Sequence, residues 1–398
     1  MKILMLTPYL PYPLWSGGQI RTYNLLKKLS QKHQITLFSF IRDNEEKKYI
    51  RNLKEYCKDV KVFLKRSPWS VKSFMLAGVT YYPLVVCMYL RSQVKDAISQ
   101  AVEKEHFDLI HAETFYVMPN IPQNDIPIIL VEQTIEYLVY RHYTHNVNFL
   151  PMKLLMNWDV TKILFWEKRF WKKATRVVAM SGADRRQMQK ISPGLNVDLV
   201  PNGVDTEFFS FKKFKNSAEK KIILFVGNFK WLQNREAVSI LIRSIWPQIK
   251  KSLPDAKLWI IGKFPTTEIL NFASSSVTVS SDINDIKKVY LQADVLLAPI
   301  YGPGGTRYKI LEAMASGLPV VTTPTGIEGL DCIYGKEVLI GKKPVDLANE
   351  TIKVLTDDGL YKNLVQNGRR LVESQFNWKT VASSLDRIYE EAAMKKQQ

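Results

Sequence analysis

The chain has 398 residues, 46% of them hydrophobic and 24% charged, with 56 Lys/Arg against 38 Asp/Glu and a formal net charge of +18. This is the composition of a soluble globular protein, and the length exceeds one comfortable core, so two domains are expected. Cys57, Cys87 and Cys332 are scattered and form no Cys-x-x-Cys pair, which excludes a disulfide framework and a zinc cluster and points to a reducing compartment.

In chain order, the opening residues 1–8 are too short and too soon broken by Pro8 for a secretory signal. They read as a first strand at 3–7, running into a loop at 8–21 (PYLPYPLWSGGQIR) in which Gly17-Gly18 precedes a helix starting near Gln19. Further apolar runs of strand length lie at 35–41, 60–64, 109–111, 128–131, 177–180 and 197–200, separated by amphipathic stretches of helix length. Residues 74–90 form seventeen positions without a charge, between Lys72 and Arg91. Pro83 interrupts them, so a bent surface element is expected rather than a membrane span. Residues 149–173 set Trp158, Phe165, Trp166, Phe170 and Trp171 among six Lys/Arg. That mixture suits the interfacial belt of a membrane, and it equally suits helices on a sheet whose lysines snorkel outward.

In the second half the strand-length runs are 222–226, 258–261, 277–280, 295–298, 320–323 and 338–340. Near-continuous Val/Ile/Leu runs mark strands buried on both faces, and their alternation with helices implies right-handed βαβ units. The fold class is therefore α/β, with two doubly wound parallel-sheet domains. The Asn-Gly turn in 201–205 and the irregular basic stretch 208–221 mark the boundary. This gives domains at 1–205 and 206–375, and a final amphipathic helix within 376–398. Both parts are basic, with 29 Lys/Arg against 18 Asp/Glu in 1–205 and 27 against 20 in 206–398. Phosphorylated substrates or acidic lipid are thereby favoured. Nucleic acid is set aside, because the charge is dispersed and no recognition module is evident.

Residues 299–323, PIYGPGGTRYKILEAMASGLPVVTT, say most about function. A strand meets a loop containing Gly302, Gly304 and Gly305, then a helix carrying Arg307, Lys309 and Glu312, which Gly317 and Pro319 end. Glycines let backbone amides approach a ligand, and a helix N-terminus favours an anion. Arg307 and Lys309 add charge there. Glu312 cannot serve a phosphate but can accept hydrogen bonds from a sugar diol. Together these suit a nucleotide diphosphate with its ribose; an ordinary solvated basic turn is the alternative. Ligands of open parallel sheets sit beyond the carboxyl ends of the strands. Two such domains would face one another across a cleft, with the Gly17-Gly18 amides opposite the basic loop.

These residues together resemble the retaining GT-B glycosyltransferases of the family 4 type. The resemblance rests on Gly17-Gly18 after the first strand, Phe107-Asp-Leu-Ile-His111, Met180-Ser181, Val200-Pro-Asn-Gly-Val-Asp205, Leu224-Phe-Val-Gly227, the Lys309-to-Val321 block and Phe376-Asn-Trp378. It covers essentially the whole chain. It implies the GT-B fold, a last helix crossing back to the first domain, and transfer of a sugar from a nucleotide-diphosphate sugar with retained configuration. It further implies that neither a metal nor another cofactor is required.

By position, Glu312 resembles the glutamate that holds the donor ribose, and Arg307 and Lys309 lie where charge meets the diphosphate. Gly17, Gly18 and Gly227 resemble donor-side glycines. Three departures stand out. Gly304 replaces the first glutamate of the family's Glu-x7-Glu motif, so backbone amides of Gly304, Gly305 and Thr306 would stand in for it. Asn228 replaces an arginine of the phosphate clamp. Gln133 stands where many relatives have a histidine near the reacting sugar, leaving Glu132 and Glu136 as acidic candidates on the acceptor side. His111, at a strand end, is a further acceptor-side candidate, with packing as its alternative role.

No Asp-x-Asp, His-Glu-x-x-His, Gly-x-Ser-x-Gly or Walker lysine motif occurs. The implied function is transfer to a saccharide or lipid-linked saccharide in cell-surface polysaccharide biosynthesis. The implied location is the cytoplasm, with peripheral contact to an anionic membrane. The competing readings are a GT-B binding subunit with impaired catalysis and a sugar-nucleotide epimerase.

Overall fold

In a computed structural model, which describes residues 1–67, 70–145, 147–211, 222–281, 283, 285–302 and 308–394, the apolar runs become two separate parallel sheets. The chain divides into two units, Met1–Pro201 with Val381–Gln398, and Asn202–Thr380.

Unit 1 runs β1 (Lys2–Thr7), α1 (Gly17–Leu29), β2 (Gln34–Ile41), β3 (Asp59–Leu64), α2 (Val71–Val79), α3 (Leu84–Tyr89), α4 (Ser92–Lys104), β4 (Leu109–Glu113), β5 (Ile128–Glu132), α5 (Glu136–His145), α6 (Leu150–Lys173), β6 (Arg176–Ala179), α7 (Gly182–Ile191) and β7 (Val197–Leu199). Its seven strands lie in the order β3-β2-β1-β4-β5-β6-β7, with Met5 opposite His111 and His111 opposite Ile129. Central β4 and β5 are buried along their whole length, whereas edge strand β3 alternates between half-buried and exposed positions. That difference follows from which strands have a neighbour on each side.

Unit 2 runs β8 (Ile222–Val226), α8 (Leu232–Ile240), α9 (Trp246–Ser252), β9 (Lys257–Ile261), α10 (Thr267–Leu270), β10 (Val277–Ser280), α11 (Ile286–Gln292), β11 (Val295–Ala298), α12 (Tyr308–Ala315), β12 (Val320–Thr322), β13 (Leu339–Ile340), α13 (Pro344–Thr356), α14 (Asp358–Leu371) and the start of α15 (Trp378–Met394). Its strand order is β10-β9-β8-β11-β12-β13. All thirteen strands fall within two residues of the apolar runs. In each sheet the winding reverses once, at β1/β4 and at β8/β11, and the loops beyond those carboxyl ends form the crevice where such sheets bind ligands.

Local chemistry sets the element ends. Helix α1 starts at Gly17, two residues earlier than the sequence suggests, because Ser16 Oγ caps it by accepting from the Gln19 amide at 3.4 Å. Gln19 in turn donates to the Leu10 carbonyl at 2.9 Å, pinning the preceding loop. Pro83 splits residues 74–90 into α2 and α3. Gly317 closes α12 at φ +71°, a left-handed conformation that suits glycine, with Leu318 donating to Ala313 at 2.9 Å.

Two motifs distant in sequence meet within unit 2. The Val204 amide donates to the Phe376 carbonyl at 2.7 Å, and Asn377 donates to Thr206 Oγ1 at 2.7 Å. A Cβ at Gly203 would lie 2.7 Å from the Trp378 ring, so only glycine fits there. From Val381 onward α15 belongs to unit 1. Asp386 accepts from Lys32 at 2.6 Å and from His33 Nε2 at 2.8 Å, and Glu391 accepts from Arg176 at 2.9 Å.

Candidate functional site

In unit 1, the carboxyl ends of neighbouring strands β1, β4 and β5 bring Tyr9, Glu113 and Gln133 together. Gln133 Nε2 donates to Glu113 Oε2 at 2.7 Å and to the Tyr9 hydroxyl. Tyr9 Oη and Gln133 Oε1 occupy the space that a Cβ on Gly18 would need, so α1 approaches this cluster only because its second residue is glycine. Glu113 is fully buried and also accepts from His111 Nε2 at 3.2 Å. Burial pushes its carboxyl up, but the His111 hydrogen bond, the Arg21 charge and Gln133 outweigh that and hold it below the ordinary range. Burial, then the Glu113 charge, raise the Tyr9 phenol. Next to Glu113, Thr114 sits at φ 71° and ψ 148°. For a β-branched residue this is strained backbone, of the kind that collects at working sites.

Two acceptor-side candidates are buried. His111 is fully buried, with Nδ1 paired to the Tyr389 hydroxyl at 2.6 Å and Nε2 to Glu113. It ties β4 to α15, as its packing alternative expects. Glu132 is also buried, accepting from Trp171 Nε1 at 2.9 Å and the Phe115 amide at 3.3 Å. Burial lifts its carboxyl to about 8, and the Glu136 and Glu113 charges add to the rise against those two hydrogen bonds. Glu136, half-buried at the start of α5, is lifted to about 7 by burial. Its own amide and that of Tyr137 donate to Glu167, at 2.7 and 3.2 Å. Gln133 and Glu136 are thus the acceptor-side candidates that keep some exposure.

In unit 2, the adjoining ends of β8 and β11 bring Gly227, Asn228, Lys309 and Glu312 together. Lys309 on α12 donates to Asn234 Oδ1 at 2.9 Å and lies 4.4 Å from the centre of the Phe225 ring. Asn234 Nδ2 donates to the Asn228 carbonyl at 2.8 Å, and a Cβ on Gly227 would press on Asn234 at 3.1 Å. One turn along α12 from Lys309, Glu312 Oε2 accepts from the buried Tyr290 hydroxyl at 2.8 Å. Burial raises its carboxyl, and the Tyr290 hydrogen bond and the Lys309 charge offset this in part. A hollow of about 260 Å³ in unit 2 is lined by Glu236, Ala237, Ser239 and Ile240 of α8 with Pro299 and Tyr301. Gly304, Gly305, Thr306 and Arg307 lie outside the described residues. Among the described residues, no group of three or more His, Cys, Asp or Glu is placed to hold a metal ion.

Sequence reasoning missed Tyr9, Glu113, Asn234 and Tyr290. Glu113 had a signal, since it lies two residues beyond His111 and a strand period of two puts both on one face. Asn234 and Tyr290 sit in ordinary amphipathic helices and carried none.

Two Rossmann-like parallel sheets of seven and six strands give the GT-B fold, and the families that the two parts of the chain match make it a glycosyltransferase. The assignment is carried by family: residues 15–208 match the Glycosyltransferase Family 4 model, and residues 220–357 match Glycosyl transferases group 1. Among similar proteins is a 44.6 kDa protein of the cps region of Klebsiella pneumoniae, 21% identical over 96% of this chain and 98% of that one. The phosphatidyl-myo-inositol mannosyltransferase of Mycobacterium tuberculosis is 26% identical over 55% of this chain and 60% of its own length. Of solved structures, Anabaena HepE in complex with UDP and glucose is 17% identical with TM-score 0.67, over 98% of this chain and 100% of that one. Sucrose-phosphate synthase from Thermosynechococcus elongatus gives TM-score 0.71 at 17% identity, over 98% and 99%.

Proposed function

We propose that the protein transfers a sugar, with retention and without a metal or further cofactor, from a nucleotide-diphosphate sugar to a saccharide or lipid-linked saccharide acceptor in cell-surface polysaccharide synthesis. The observation that carries this is the pairing of Lys309 and Glu312 one turn apart on α12, beyond the β8/β11 switch point. Lys309 meets the departing diphosphate and Glu312 the ribose diol. The UDP and glucose in HepE and the cps location of the Klebsiella protein support the donor and pathway classes.

Glycosyl transfer builds negative charge on the diphosphate while the sugar becomes oxocarbenium-like, so a cation fixed at the diphosphate helps the transition state more than the ground state. Asn234 and Phe225 fix Lys309 in this way. Arg307 and the amides of Gly304, Gly305 and Thr306 add further donors in this scheme, and Gly227 and Asn228 shape the donor floor. Gly17 and Gly18 offer phosphate-binding amides beyond β1, and Gln133 and Glu136 meet the acceptor. The leaving phosphate itself takes the acceptor's proton, so no separate base is assigned.

The test combines two measurements. A thermal-shift panel of UDP-, GDP-, ADP- and dTDP-sugars should single out one nucleotide, with about 2.7 kcal/mol of stabilisation at a hundred times Kd. Incubation of that donor with lipid-linked saccharide, in the presence of a chelator, should then release the nucleotide diphosphate. No shift with any nucleotide would overturn the donor site. Release only after metal addition would overturn metal independence.

A further inference from the structure

Helices α2 and α6 in unit 1 expose apolar faces that nothing among the described residues covers. On α2, Val71, Phe74, Met75 and Val79 are exposed at spacings of three, one and four, which is one helical face, while Ser73 on the other side is buried. On α6, Leu150, Leu154, Trp158 and Phe165 form a second exposed stripe, preceded by Phe149. Trp158 is 60% exposed, and Val79 and Tyr81 are 82% and 84% exposed. The two stripes belong to one region. Lys162 on α6 donates to the Ala77 carbonyl at 2.6 Å, Trp166 Nε1 donates to the Tyr81 carbonyl at 2.8 Å, and Tyr82 lies on Trp166 with ring centres 4.4 Å apart.

Charge selects the occupant. The acids of α6 are both turned inward. Asp159 accepts from the Leu84 amide at 2.9 Å, and buried Glu167 caps the start of α5. Lys72, Lys153, Lys168 and Arg169 remain among the stripes with no acid on either helix to neutralise them. A surface for a second copy of the chain would be depleted of lysine at its centre, whereas aromatic residues interleaved with cations match a bilayer interface bearing anionic headgroups. No described helix is long and apolar enough to cross a membrane, so such a surface lies on the bilayer rather than through it.

We propose that α2 and the exposed face of α6 from Leu150 to Arg169 form a docking surface for an anionic lipid bilayer, into whose interface Phe74, Met75, Leu154 and Trp158 insert. The surface is independent of the donor site on unit 2.

The experiment is co-sedimentation of the full chain with vesicles of phosphatidylcholine alone or mixed with phosphatidylglycerol. The mixed vesicles should bind the protein, and added salt should weaken the binding. Lys153→Gln with Lys168→Gln should reduce partitioning roughly fivefold for each lysine. Trp158→Glu with Leu154→Glu should reduce it by more than that, as should Phe74→Ser with Met75→Ser. Two pairs on different helices guard against one that misfolds, and the nucleotide thermal shift of each variant reports separately on the donor site. Equal binding to both vesicle types would overturn the proposal, as would undiminished binding by both apolar pairs. A wild-type dimer that these pairs convert to monomer, with vesicle binding unchanged, would assign the surface to a second copy instead.

Discussion

The ammonium of Lys309 is held by an amide oxygen on one side and an aromatic ring on the other, so its position does not depend on a bound ligand. Lys309→Ala should therefore lower kcat about a hundredfold or more, near 3 kcal/mol of barrier, with an unchanged melting midpoint; wild-type turnover would remove it from the site. Thr114 makes the opposite case. Its positive φ costs about 1–3 kcal/mol, so Thr114→Gly should raise stability by about 1 kcal/mol in a denaturant titration. Glu136 offers a pH test. Its folded carboxyl is raised from 4.5 to about 7, so the folded state holds the proton more tightly than the unfolded chain. Its stabilising contribution is complete below 4.5 and is lost as pH rises through about 7. Glu136→Gln, neutral throughout, should gain on the wild type in melting temperature between pH 5 and pH 8. An equal difference at both pH values would show that the group is not buried as described.

At the scale of elements, Arg369 on α14 clamps separate segments of unit 2 together. It donates to the carbonyls of Phe209 at 2.8 Å, Thr206 at 2.9 Å and Ala315, and pairs with Glu373. Arg369→Met leaves three carbonyls without a cation and should cost on the order of 3 kcal/mol, read as a lower urea midpoint with unchanged slope. The strands were legible because parallel sheets buried on both faces write themselves as unbroken Val/Ile/Leu runs, as in IILFV at β8 and VLLA at β11. The helix starts beyond β1 and β11 were legible from Gly17-Gly18 and from the run that begins near Lys309. Partnership was not. Nothing in the run LIHAE says that His111 faces Tyr389, 278 residues away, and so the sequence left both packing and substrate contact open for it. Asn234 and Tyr290 acquire meaning only once α8, α11 and α12 are assembled.

At the scale of the molecule, the division of the chain predicts how damage spreads. Residues 381–394 supply Asp386, Tyr389 and Glu391 to unit 1. Removing residues 381–398 should thus loosen β4, which loses the hydroxyl on buried His111, and the start of β6, where Arg176 loses a partner. Hydrogen exchange should accelerate in unit 1 while the sheet of unit 2 keeps its protection; the reverse pattern would contradict the division. The same arrangement constrains birth as well as damage. A nascent chain leaving the ribosome can complete the sheet of unit 2 before unit 1 receives the part of α15 that packs on it, which is translated after that sheet. Throughout that interval Asp386 has yet to reach Lys32 and His33, so both wait for their carboxylate until the strands of unit 2 have been made.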